Sequence, residues 1–334
     1  MALPTFQVAT NNETSRRRFL HLAAAATVSP AMSGTAKAQS YPTRPVRLVV
    51  GYPAGSGPDI PARLIGQWLS QRLGQPFTID NRPGAAGNVG AEIVAKAEPN
   101  GFTLLEVLST NTINASLYTN LNFDFLHDIA PVGSIGSTPF VMVASPSIAL
   151  KSVQDFIAYA RANPGKINMA SAGTGTAQHV SGELFKMMTG VELVHVPYRG
   201  NYTTDLLNGQ VQLAFMPIAQ ALEYVKSGTL TALAVTTATR SPALPSVPSI
   251  GEFVPGYAAA GWYGIGAPAG TPPAIVDLLN AATNAGLADA TVRSRLSDLG
   301  IEPRPMSVAE FSQLVADDTA KWAKVIKFGG IKPD

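Results

Sequence analysis

The chain has no cysteine. That excludes disulfides, thiolate catalysis and cysteine–zinc centres. Histidine is scarce, and His127, His179 and His195 show no close metal-ligand spacing. No G-x-x-x-x-G-K-[ST] loop and no G-x-S-x-G elbow occurs, so neither a P-loop nor an α/β-hydrolase nucleophile is indicated. After the first forty residues no apolar run is long enough to cross a membrane. The formal charge of +2 turns slightly acidic once Arg16, Arg17, Arg18, Lys37 and Glu13 of the N-terminal segment are set aside. There is thus no basic surplus for nucleic acid. With no catalytic pair, metal cluster or cofactor motif, the expectation is a non-enzyme without cofactor or metal.

The N-terminal segment holds three features in order. They are Ser15-Arg16-Arg17-Arg18-Phe19-Leu20, an alanine-rich apolar run from Ala23 to Val28, and the small-x-small pattern Ala36-Lys37-Ala38. A basic region, a short apolar region and such a site make a secretory leader. The paired arginines before Phe-Leu match the twin-arginine pattern. The alternative is a basic N-terminus arising by chance. Residues 1–38 are expected to be a signal peptide cut after Ala38, which places the mature protein in the periplasm. Roughly 300 residues remain, enough for one large or two ordinary domains and for a core that needs no staples.

Arg44 to Gly51, Phe77 to Asp80 and Thr103 to Leu108 read as strands. The stripe Ile60, Leu64, Ile65, Trp68 and Leu69 marks a helix after the first, and Val89, Ile93, Val94 and Ala97 mark another after the second. This is the rhythm of a parallel sheet covered by helices. It returns after Leu150. Ser152 and Asp155 resemble a capping box before Val153, Phe156, Ile157 and Ala160. Strands are expected at Ile167 to Ala170, Val191 to Val196, Val211 to Phe215 and Leu230 to Val235, and a helix is marked by Val180, Leu184 and Met188. Pro272-Pro273 opens a further helix, and Ser307 with Glu310 caps the last. Pro139 to Ala144 and Gly261 to Ala267 fall outside these units and are expected to be crossovers. The expected fold class is α/β with two lobes and two crossover segments. Lobe 1 comprises residues 39–140 with 262–334, and lobe 2 residues 141–261.

Two small-residue loops each follow a strand and precede a helix, Pro53-Ala54-Gly55-Ser56-Gly57-Pro58-Asp59 and Ser171-Ala172-Gly173-Thr174-Gly175-Thr176. Such loops aim backbone N–H groups and a positive helix end at one spot, where an anion can bind. The glycines could equally serve only tight turns. Neither loop contains lysine or arginine and neither completes G-x-G-x-x-G, so a small carboxylate fits better than a polyphosphate. The candidate ligand-binding residues are Tyr52, Ala54, Gly55, Ser56, Gly57, Asp59, Ser171, Gly173, Thr174, Gly175, Thr176, His179 and Tyr198. Within this set Asp59 could simply cap its helix, and His179 could be a packing residue. His195 reads as a strand-face residue, and Trp68 as core. The main-chain N–H groups of Ala54 to Gly57 and Gly173 to Thr176 are expected to hold one ligand carboxylate.

These loops, together with Asn81-Arg82-Pro83-Gly84-Ala85-Ala86-Gly87, Pro99-Asn100-Gly101, Val196-Pro197-Tyr198-Arg199-Gly200 and Arg240-Ser241-Pro242-Ala243-Leu244-Pro245, resemble the Bug-type substrate-binding proteins of tripartite tricarboxylate transporters. The resemblance spans nearly all of the mature chain. It implies a two-lobe periplasmic binding protein fold (type II-like) that closes over a small carboxylate, and a monomer that delivers its ligand to membrane transporter subunits. A sensor subunit presenting ligand to a signalling receptor, or a periplasmic hydrolase, are the alternatives. Three departures stand out: Tyr52 and Ser56 replace a phenylalanine and a glycine, Met216-Pro217-Ile218 offers no aspartate, and Tyr198 to Asp205 looks short.

Overall fold

The computed structural model describes residues 1–5, 41–198 and 200–333. The rest of the expected signal peptide, its cleavage point and Arg199 lie outside the described residues. Tyr41–Asp334 forms one compact unit.

In chain order the elements are β1 (Val46–Val50), α1 (Asp59–Leu73), β2 (Phe77–Asn81), α2 (Asn88–Ala95), β3 (Thr103–Leu108), α3 (Ser109–Leu117), the single turn α4 (Phe125–Asp128) and β4 (Ile129–Ala144). Then come α5 (Val153–Ala162), β5 (Ile167–Ser171), α6 (Ala177–Thr189), β6 (Leu193–Pro197), α7 (Thr203–Leu207), β7 (Leu213–Pro217), α8 (Ile218–Lys226) and β8 (Thr231–Val235). The chain closes with β9 (Ala260–Pro268), α9 (Pro273–Ala288), α10 (Ala290–Asp298), β10 (Glu302–Pro303) and α11 (Val308–Gly329).

The strands form a ten-stranded mixed sheet ordered β2-β1-β3-β9-β4-β7-β5-β6, with β8 and β10 also on β4. One parallel set is β2-β1-β3, and the other is β6-β5-β7. In β1, Leu48, Val49 and Val50 are all buried, as a parallel strand covered on both faces requires. β4 serves both halves. Its residues 129–139 pair antiparallel with β9, and Phe140 to Ala144 pair with β7 and β8. Leu48, Val50, Ile65, Leu104, Leu279 and Ile265 belong to one core cluster; Met142, Phe156, Met169, Phe185 and Phe215 belong to another.

The helices begin and end as their sequences dictate. Ser152 Oγ accepts from Asp155 N at 3.0 Å. Ser307 and Glu310 form a reciprocal capping box. Pro273 opens α9. Gly74, at φ +76°, ends α1 in the left-handed conformation that glycine adopts freely.

The two segments expected as crossovers, Pro139 to Ala144 and Gly261 to Ala267, lie within strands β4 and β9, and at Pro139 and Phe140 β4 passes from one half of the sheet to the other. Two features differ from the sequence expectation. In α1 the buried face is Pro61, Ala62, Ile65 and Leu69, while Ile60 is exposed. Helix α3 has no counterpart in the apolar pattern, because its buried face includes Ser109, Asn111, Thr112 and Asn114. Asn111 and Thr112 are satisfied locally, whereas Asn114 turns its amide to Ala86 O and Asn88 Oδ1. Asn111 Oδ1 accepts Leu108 N–H at 2.8 Å, and Thr112 Oγ1 donates to Ser109 O at 2.6 Å.

Candidate ligand site

The first loop joins β1 to α1 and is held by a buried carboxylate. Asp59 is 1% exposed. Its Oδ2 accepts Gly55 N–H at 2.8 Å and Arg63 Nε at 2.7 Å, and its Oδ1 accepts Asn81 Nδ2 at 2.8 Å. Asn81 Nδ2 also donates to Tyr52 O at 2.9 Å. Burial opposes ionisation of Asp59. The hydrogen bonds from Arg63, Gly55 and Asn81 outweigh it, so its pKa lies below the usual value. Asp59 therefore fixes the loop's shape, and its oxygens are already occupied. Ser56 N–H donates to Pro53 O at 3.2 Å. Among the described residues the amides of Ala54 and Gly57 have no partner, and Ser56 Oγ is buried without one.

Loop 83–87 leans against the first loop. A Cβ on Gly51 would come within 2.7 Å of Gly87 Cα, so this approach requires glycine. Tyr52 is half-buried and donates to Ala86 O at 3.2 Å. Asn114 Nδ2 of α3 reaches the same carbonyl at 2.9 Å. Burial, only partly offset by a hydrogen bond from Thr110, raises the Tyr52 pKa.

The second loop joins β5 to α6 and is held by neutral groups. Gly173 N–H donates to Ser171 Oγ at 3.1 Å, and Ala172 N–H to Gln178 Oε1 at 3.1 Å. Gly175 N–H donates to His179 Nδ1 at 3.1 Å. Thr176 caps α6 through its Oγ1 and donates to Gly173 O at 2.8 Å. The Thr176 amide donates to Gly173 O at 3.3 Å, so Thr174 keeps the one amide of Gly173 to Thr176 without a partner among the described residues. His179 is buried at 4% exposure and stacks on His195, with ring centroids 3.5 Å apart and planes at 7°. Tyr198 N–H donates to Ser171 O at 3.0 Å, and Tyr198 OH donates to Asp205 at 2.7 Å. Burial, then the Asp205 carboxylate, pushes the Tyr198 pKa up to about 12.

The two loops meet through α3. Gly175 sits at φ +74°, and a Cβ there would come within 2.4 Å of Leu117 Cδ2. The amide donors expected from sequence are narrowed by this geometry. Those of Gly55, Ser56, Gly173, Gly175 and Thr176 have partners within the loops, which leaves Ala54, Gly57 and Thr174.

The structure also brings together groups that sequence spacing did not connect. Ser171 Oγ lies 2.6 Å from His195 Nε2. This is a hydroxyl–imidazole pair where the sequence offered none, but Ser171 is fully buried and already accepts the Gly173 amide. An attacking hydroxyl needs access to its substrate. Asn81, Asn114 and Gln178 hold the loops; Asn81 opens one of the motifs quoted above, while Asn114 and Gln178 carried none. Glu106 is 1% exposed in the otherwise apolar strand Thr103–Leu108, and that lone charge was a legible signal. Trp68, half-buried, donates to Ala282 O at 2.8 Å away from the loops. Among the described residues no group of three or more histidine, aspartate or glutamate side chains could hold a metal, and no helix is long and apolar enough to cross a membrane.

Residues 61–331 match the family described as tripartite tricarboxylate transporter family receptor. The chain is 34% identical over 302 residues to BugT of Bordetella pertussis, covering 88% of this chain and 92% of that one. Among solved structures it is similar to R. palustris Rpa4515 with adipate, at 38% identity and TM-score 0.72, over 88% of this chain and 100% of that one. It is also similar to MatC from Rhodopseudomonas palustris with bound malate, at 32% identity and TM-score 0.70, over 86% and 100%. The mixed α/β fold is the one these receptors share.

Proposed function

The chain belongs to the tripartite tricarboxylate transporter receptor family, and from that premise we propose that it captures a small carboxylate and delivers it to the membrane subunits of such a transporter. The observation that carries this reading is the pair of strand–loop–helix sites, free of lysine and arginine, with unpartnered amides at Ala54, Gly57 and Thr174. An ion taken out of water must regain its hydrogen bonds, or burial costs several kcal/mol. Amides at helix starts can supply them.

Residues 39–140 with 262–334 act as one lobe and residues 141–261 as the other. The two carry one loop each, so only a closed form puts both sets of donors around one carboxylate, and ligand then favours closure. Tyr52 and Tyr198 flank the loops as side-chain walls. The protein works in the periplasm as a monomer after removal of residues 1–38. It acts by binding and carries out no chemistry on its ligand. Relatives with adipate and malate support a carboxylate ligand.

The test is thermal unfolding of the mature protein across a panel of mono-, di- and tricarboxylates, amino acids and aromatic acids. A ligand present at about 100 times its Kd stabilises by about 2.7 kcal/mol, a shift of several degrees. A panel in which no acid shifts the transition, or in which neutral amides shift it equally, overturns the reading.

A further inference from the structure

Glu106 is the buried ionisable group that the loop mechanism leaves unused. It is 1% exposed, and neither carboxylate oxygen has a hydrogen-bond partner. Natively buried polar groups of this kind are almost always satisfied by something, a water or a ligand included.

The strand register shows where it sits. Glu106 pairs with Ile265 and Leu108 with Tyr263 between β3 and β9. Tyr263 in turn pairs with Gly136 of β4, two residues from Thr138. Paired residues of antiparallel strands share a face, so Glu106, Tyr263 and Thr138 lie on one side of the sheet. On the other flank Leu48 of β1 pairs with Leu104. Continuing that parallel register sets Val50 and then Tyr52 along the same face, beside Glu106 and Leu108. Glu106 is therefore on the floor under Tyr52, next to the first loop.

The sheet-face neighbours of Glu106 are largely engaged with other groups. Thr138 Oγ1 is buried on the same face and interacts with the Tyr263 phenol, and Tyr52 OH donates to Ala86 O. The two oxygens of Glu106 are left as unpartnered acceptors. No lysine, arginine or histidine forms an ion pair with Glu106 among the described residues. Burial, and then the charge of Asp59, holds its pKa well above the usual carboxylate value. The half-buried phenols of Tyr52 and Tyr263 stand close enough to feel its charge. Carboxylate oxygens flanked by tyrosine rings suit a cation with several N–H donors.

We propose that Glu106, with Thr138, Tyr52 and Tyr263, forms a second subsite for an ammonium group, so that the ligand is an amino-carboxylate and not a simple diacid. The inference rests on the carboxylate-receptor reading above, in which the loop amides take the other end of the same molecule. Entry of the ammonium supplies the charge that Glu106 lacks. A second carboxylate would instead bring another negative charge to a site where burial and the Asp59 charge already oppose ionisation of Glu106.

Calorimetric titration with matched acids tests this. Butanoate, 4-aminobutanoate and succinate form one set; hexanoate, 6-aminohexanoate and adipate form the other. The expected result is an amino acid bound about tenfold or more tighter than both its monoacid and its diacid in at least one set. Glu106→Gln should remove that advantage, bringing the amino acid to within about twofold of the matched monoacid in the same variant. A wild-type protein that takes the diacid as well as or better than the amino acid in both sets overturns the subsite, and this comparison stands even if the variant does not fold. An amino preference that survives Glu106→Gln overturns it too. Monoacid binding with no gain from the amino group sinks the subsite alone. Failure of all six acids sinks the carboxylate reading with it.

Discussion

The two glycine loops have the same place in their strand–loop–helix units but are held by opposite kinds of chemistry. The first is pinned by an ionised aspartate, Asp59, with Arg63 and Asn81. The second is pinned by neutral acceptors, His179 Nδ1, Ser171 Oγ and Gln178 Oε1. They also differ in the space around them. A side chain at Gly55 would meet nothing within 4 Å, whereas one at Gly175 would strike Leu117. One loop is thus open and electrostatically tied. The other is packed and tied by dipoles. Similar strand–loop–helix geometry does not require similar supports.

The sharpest way to break this comparison is a matched pair of substitutions, Gly175→Val and Gly55→Val. Both residues have φ near +75°, so both variants carry backbone strain of about 1–3 kcal/mol. Only Gly175→Val adds the clash with Leu117. It should cost affinity for every carboxylate by about 100-fold or more, and Gly55→Val by roughly tenfold. Equal losses in titration would show that the packing difference does not reach the ligand.

A smaller effect is expected from Asp59→Asn, which keeps the shape and removes the charge. Arg63 is half exposed, so its abandoned charge stays hydrated and the variant should lose about 1–2 kcal/mol of unfolding free energy at neutral pH. Because the folded pKa of Asp59 is depressed from 3.8, its contribution is present above the unfolded value and is lost as pH falls through the folded one. The wild type and variant should therefore converge in thermal unfolding only once the pH falls below the depressed folded pKa of Asp59. A gap that persists in acid would remove the ionic account of the first loop.

The smallest change should follow His179→Phe. The ring can still stack on His195, but the acceptor for Gly175 N–H is gone. A loss of about 1 kcal/mol, seen as faster hydrogen exchange at Gly175 and roughly fivefold weaker ligand binding, is expected. Unchanged exchange at that amide would mean that the imidazole does not hold the loop.

Most of the strands were legible because buried parallel strands read as short apolar runs, as Thr103 to Leu108 does without error at either end. The loops were legible as small-residue runs between a strand and an apolar stripe. Helix α3 was not, since its interior face is built from serine, threonine and asparagine whose partners are set by tertiary contact. The first half of β4 was missed for a related reason. Ile129 to Thr138 contains glycine, proline and serine, and its pairing is with a strand more than a hundred residues on. At the site the residue types were readable, but not which amides would already be engaged. That depends on Asp59 and His179 turning back onto their own loops, a local choice that spacing alone leaves open.

The position of β9 between β3 and β4 has a consequence for the order of synthesis. When Ala144 emerges, β3 and β4 exist but the strand that separates them does not. At ~5–20 residues per second, on the order of ten seconds pass before Ala260 to Pro268 are made. During that time β3, buried on both faces in the finished protein, has one edge with no neighbour, a state in which strands pair wrongly or aggregate. The nascent protein is therefore most exposed not while its first strands form but while the intervening hundred-odd residues are being added. A factor that covers apolar edges would matter most in that interval.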